Sequence, residues 1–110
     1  MRCYRKIVSI LKAKFPEYKV SVRRLRLPDG LCGDCALING KRKRKEFRIR
    51  ISNRMSEEMA IDTLVHEWAH ILAWDAPGDE HGPAWGRAYS KVYRIYLTEY
   101  VDAYNEGTFF

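Results

Sequence analysis

With 110 residues, 46% of them apolar and 13% aromatic, the chain has material for one packed core and is too apolar for a disordered segment. A second domain is excluded on length, so one domain is expected over residues 1–110. The longest apolar runs are too short to span a bilayer, and the stretch after Arg2, Arg5 and Lys6 is too short for a secretory signal. No membrane partner and a cytoplasmic location are therefore expected. Three cysteines, an odd number, argue against a disulfide framework.

The net charge of +6 is unevenly divided. Residues 1–55 carry 17 Lys/Arg against 4 Asp/Glu, and residues 56–110 carry 3 against 10. A basic front half and an acidic back half that holds the histidines suggest two tasks on one small domain.

Tyr4, Ile7, Val8, Leu11 and Phe15 follow the spacing of an amphipathic helix, which Pro16 stops. Tyr18, Val20 and Val22 alternate with polar residues as in a half-buried strand, and the alternation slips before Leu25 and Leu27, which predicts a bulge. Pro28-Asp29-Gly30 is a turn, Leu31 to Ile38 reads as a second strand weakened by Gly33, and Asn39-Gly40 opens a hairpin connection. Phe47, Ile49 and Ile51 alternate with Arg48, Arg50 and Ser52 as a third strand. Ser56 is a candidate N-cap for a helix reaching about Trp74, and Pro83 suits the first position of a last helix reaching about Asn105. Helix, three strands, helix, helix makes an α+β domain.

Residues 66–70 read His-Glu-Trp-Ala-His. Two histidines four apart on a helix share a face and can bind one zinc ion, and a glutamate beside the first can take a proton from attacking water. Ile61, Leu64, Val65, Trp68 and Leu72 form the apolar stripe of this helix, and His66 and His70 fall on the opposite side, the register a metal cleft requires. A third ligand is needed. His81 is favoured because the intervening loop is long enough to fold it back over the helix. Asp75, Asp79, Glu80 and Glu99 are rival oxygen ligands, and the unused loop acids are candidates to orient the histidine rings. Glu99 stands on the apolar stripe of its helix with Trp85, Tyr89, Val92 and Tyr96.

His66-Glu67-Trp68-Ala69-His70, a short loop, and His81-Gly82-Pro83-Ala84-Trp85 together resemble the SprT-like zinc metallopeptidases, the family that includes the Spartan protease domain. Trp85 stands where that family commonly has phenylalanine. The resemblance implies a minimal zincin fold with one Zn2+, His66, His70 and His81 as ligands and Glu67 as general base. It also implies proteolysis, for which the family is best known on proteins crosslinked to DNA. Many members carry a C-terminal zinc ribbon or DNA-binding extension, whereas this sequence ends at Phe110.

Lys41-Arg42-Lys43-Arg44-Lys45 is a run of five cations, to which Arg23, Arg24 and Arg26, and Arg48, Arg50 and Arg54, add two more groups. If the strands pair in chain order, these groups share one side of the sheet and attract phosphates, so Arg24, Arg26, Lys41 to Lys45, Arg48 and Arg50 are candidate DNA contacts. Cys32 and Cys35 have the spacing of half a zinc ribbon with no second pair, which favours a structural or incidental role. The expected function is a zinc metalloendopeptidase acting on a protein or peptide. The alternatives are a nucleic-acid-binding module with a structural or inactive zinc site, a zinc hydrolase for a non-peptide bond, and a minimal gluzincin using Glu99.

Overall fold

A computed structural model describes residues 3–41 and 43–102. The elements run α1 (Cys3–Lys14), β1 (Lys19–Leu25), β2 (Gly33–Asn39), β3 (Glu46–Ser52), α2 (Glu57–Leu72) and α3 (Pro83–Tyr96). The last helix continues as a wider π-type segment over Leu97–Asp102. The expected α+β layout is present, with boundaries shifted by a few residues. Arg42 and the last helix beyond Asp102 lie outside the described residues.

The strands do not pair in chain order. The sheet runs β1-β3-β2, with β1 parallel to β3 and β2 antiparallel to it. The central place goes to the strand with the most regular apolar face: Phe47, Ile49 and Ile51 are all fully buried. A central strand has neighbours on both sides, so its apolar residues lose the most water-exposed area, about 1.5–3 kcal/mol for each side chain.

The bulge expected before Leu25 is absent, and β1 keeps register with β3 from Lys19↔Glu46 to Leu25↔Ser52. The apparent slip arises because Arg24 occupies an inward position that the alternation reserves for an apolar residue. Its Nη2 donates to the Met55 carbonyl at 2.9 Å, and its guanidinium lies 5.3 Å from the centroid of the Tyr4 ring. These partners make an arginine tolerable there. The register shift lies instead in β2, between Leu37 and Asn39.

The core lies between one face of the sheet and the helices. Ile7, Leu11 and Phe15 of α1 and Ile61, Leu64, Val65 and Trp68 of α2 pack with Val20, Phe47, Ile49 and Ile51. The opposite face presents Ser21, Arg23, Arg48, Arg50 and Asp34, and no helix of the described residues packs on it. No described helix is long and apolar enough to cross a membrane.

Gly33 is where β2 presses closest to its neighbours. A Cβ there would meet the Arg50 carbonyl at 2.7 Å and Thr63 Cγ2 of α2 at 2.8 Å. Glycine thus lets an edge strand run tightly beside α2.

Candidate metal centre

The helix that carries the first two histidines is fixed at its start by a cap. The Ser56 hydroxyl accepts a hydrogen bond from the Met59 N–H at 3.2 Å, and Glu57 and Glu58 occupy the positive first turn. Burial of Leu64, Val65 and Trp68 against the sheet sets the rotation of α2. His66 and His70, one turn apart, then face a cleft walled on one side by β2.

After Leu72 the chain turns back. The Ala73 N–H bonds to the Ala69 carbonyl at 3.1 Å, Gly78 adopts φ +101°, and the Gly82 N–H reaches the Asp79 carbonyl at 2.9 Å. A left-handed turn of this kind suits glycine. The loop places His81, just before Pro83 opens α3, over the face of α2 that carries His66 and His70.

One ligand atom from each of the three histidines lies within 4.8 Å of the others, so the group could hold a metal ion. Ring centroids are 5.1, 5.1 and 4.9 Å apart. Nε2 of His81 and Nε2 of His66 stand 3.2 Å apart. Two nitrogens bound to one tetrahedral zinc at about 2.0–2.1 Å would be about 3.3–3.4 Å apart, so this spacing fits ligands of a shared ion. Burial, followed by the neighbouring His81, lowers the proton affinity of His66. Burial, then His66 and His81, does the same for His70. Both rings therefore favour the neutral form, whose lone pair a metal needs.

Trp85, from the first turns of α3, covers this group. Its ring lies 4.9 Å from His66, 5.7 Å from His70 and 4.9 Å from His81, and its Nε1–H donates to the His66 carbonyl at 3.4 Å. Glu67 shares the cleft and is only 7% exposed. Burial pushes its carboxyl up to about 7, with the charges of Asp34 and Glu80 adding to the effect. A carboxylate poised near neutral pH can both take and return a proton. The cleft holds about 560 Å3, and β2 contributes Gly33, Asp34 and Cys35 to its wall.

The rival ligands are placed elsewhere or stand apart from the histidines. Glu99 pairs with Lys14 at 2.9 Å and lines a separate cavity with Arg87 and Lys91. The π-type segment changes the angular spacing at Leu97–Asp102, so position 99 leaves the stripe that Trp85 and Tyr89 follow. This removes the ligand that the gluzincin alternative needs. Asp75 pairs with Lys45. Asp79 and Glu80 line the cleft, and no loop carboxylate bonds a histidine ring among the described residues.

The basic residues do not form one surface. Arg24 is turned inward, Arg44 Nη2 donates to the Tyr18 carbonyl at 3.1 Å, and Arg50 grips Asp34 by donating to both of its oxygens through Nε and Nη2, one edge of its guanidinium. That grip holds the Asp34 carboxyl below its usual range. Arg23 and Arg48 share the outer sheet face with Arg50, and Arg26, Lys41 and Lys43 are exposed in the loops. Among the described residues these five have no ion-pair partner.

Cys32 and Cys35 are free thiols. The Ser52 N–H bonds the Cys32 carbonyl and Cys35 pairs with Ile49, so the segment is extended. At about 3.3 Å per residue the two Cα atoms stand about 10 Å apart, too far for a disulfide or for two ligands of one ion. Burial, then Glu67 and Asp34, pushes the Cys35 thiol up to about 12, which leaves it protonated.

Sequence reasoning missed the Asp34–Arg50 pair and the close approach at Gly33. Both depend on the register between β2 and β3, which side-chain alternation does not specify. In comparisons with known proteins, neither a curated protein nor a solved structure matches the chain. The family model described as the SprT-like family matches residues 2–105, nearly the whole length. With that coverage, the chain belongs to the SprT-like family.

Proposed function

We propose that residues 1–110 form one zinc-dependent metalloendopeptidase domain that hydrolyses extended polypeptide. One observation carries this: three imidazoles converge within 4.8 Å, with a buried glutamate adjoining the first of them in sequence and in the cleft. A donor set of three neutral nitrogens with ligand-like spacing suits Zn2+ and leaves a coordination position open. Bound zinc would supply Lewis acidity, acidifying water and polarising the scissile carbonyl.

The remaining work falls to the chain's own groups. Glu67 accepts the proton that the attacking water gives up and passes it to the leaving amine. Its raised proton affinity suits both transfers, because the carboxyl is then matched to neutral pH. Trp85 fixes the histidine rings by packing and excludes water from one side. The free edge of β2 offers backbone donors and acceptors to an extended substrate, which requires little of its side chains.

The outer sheet face, with Arg23, Arg48 and part of Arg50, and the loop cations Lys41 and Lys43 suit a phosphate backbone. DNA-associated proteins are therefore the proposed substrates. This surface lies on the side of the sheet away from the packed core. The test is cleavage of an unfolded protein by purified enzyme. A chelator should abolish it, and zinc, added back at equimolar level, should restore it. Cleavage that survives metal removal, or a purified protein that takes up no zinc, would overturn the proposal.

A further inference from the structure

The metal cleft does not end at Trp85. A ladder of rings continues from it along α3: Trp85 to Tyr89 at 5.1 Å, Tyr89 to Tyr93 at 5.9 Å and nearly parallel, Tyr93 to Tyr96 at 5.9 Å. Tyr93 is 38% exposed, so part of its ring is accessible to a binding partner. Beside the ladder, α2 and α3 enclose a groove of about 230 Å3 lined by Glu58, Ile61, Asp62, Val65, Tyr93 and Tyr96.

The charge of this track has one sign. The groove carries two carboxylates and the cleft three (Glu67, Asp79, Glu80) besides the paired Asp34 at its wall, and neither lining contains a lysine or arginine. The two cations closest by partnership, Arg50 and Lys45, are taken by Asp34 and Asp75. Asp62 accepts from the Tyr89 hydroxyl at 3.1 Å and keeps its second oxygen, and Glu58 has no ion-pair partner among the described residues. Aromatic faces flanked by carboxylates attract an ammonium or guanidinium group both by the ring quadrupole and by charge. The same carboxylates repel the phosphates that would accompany a stacked base.

We propose that the α2/α3 groove is a docking site for a lysine- or arginine-bearing segment of the polypeptide substrate, with the cationic side chain lying on Tyr93 between Glu58 and Asp62. That the bound segment belongs to a substrate rests on the peptidase reading above; that it is cationic does not. At about 230 Å3 the groove is of a size to seat one long side chain.

The experiment measures binding by fluorescence anisotropy with the Glu67→Gln protein, so that turnover plays no part. The probes are a labelled lysine-rich peptide, its counterpart with glutamine for every lysine, and a labelled oligothymidylate. The lysine peptide should bind best. Glu58→Gln and Tyr93→Ala should each weaken it about fivefold, and Tyr93→Phe should retain it. Equal binding of the glutamine peptide would overturn the proposal, as would indifference to both weakening variants. Oligothymidylate binding lost in Tyr93→Ala would make the ladder a base-stacking surface instead. Selective lysine-peptide binding without cleavage by the wild-type enzyme would sink the peptidase reading and leave the cationic site standing.

Discussion

The metal cleft with its neighbouring α2/α3 groove, and the outer face of the sheet, carry opposite charge. The cleft and the α2/α3 groove gather Glu58, Asp62, Glu67, Asp79 and Glu80, whereas Asp34, at the cleft wall, projects to the outer sheet face and is paired with Arg50. On the outer sheet face and its loops stand Arg23, Arg48, Lys41 and Lys43. The acidic side encloses a cleft of about 560 Å3, whereas the basic side is an open sheet. Chemistry needs an enclosed, partly dry site where a carboxyl can be tuned. Attraction to a polyanion needs only exposed cations. Separating the two keeps a negatively charged backbone away from carboxylates that would repel it.

The largest expected effect tests the acidic side. Glu67→Gln should lower peptide cleavage by about a thousandfold while zinc content stays at that of the wild type, measured by turnover and elemental analysis. Retained turnover would show that the base lies elsewhere. Next, His81→Ala should weaken zinc affinity by more than about a hundredfold, and Glu99→Ala should leave it unchanged, in competition with a metal indicator. The reverse pattern would mean that the convergence of His81 on the other two imidazoles is not a ligand set.

A stability measurement sharpens the same side without any turnover. In metal-free protein the Glu67 carboxyl is raised to about 7 from 4.5, chiefly by burial. The folded state then holds a proton that the unfolded chain has released. This contribution is fully present below about pH 4.5 and is lost as pH rises through about 7, an expected decline on the order of 2 kcal/mol. Denaturant unfolding at a series of pH values should show that decline in wild type and a flatter profile in Glu67→Gln. The smallest effect concerns the basic face. Arg48→Gln should weaken duplex DNA binding modestly and reduce its salt slope by about one, with cleavage of a short free peptide unaffected. An unchanged salt slope would take that face out of any DNA contact.

Much of this was legible because it is local. The spacing of Leu64, Val65 and Trp68 against His66 and His70 separates a buried face from a cleft face within one helix. The alternation through β3 sends Phe47, Ile49 and Ile51 inward and Arg48 and Arg50 outward. Pro16 marked where the first helix stops and Pro83 where the last one starts. Arg24 misled the reading because a polar residue can take an inward strand position when Met55 and Tyr4 supply partners. Glu99 misled it because the helical period itself changes at Leu97.

The sequence by itself determined the helices, the inward and outward faces of β3 and the pairing of two histidines on α2, since each follows from a short-range period. Only the tertiary structure decided that β3 lies centrally with β1 parallel to it, that Arg50 meets Asp34, and that His81 returns to within 3.2 Å of His66. Those outcomes join residues distant along the chain, and they are settled by which arrangement buries the most apolar surface, not by any short-range period.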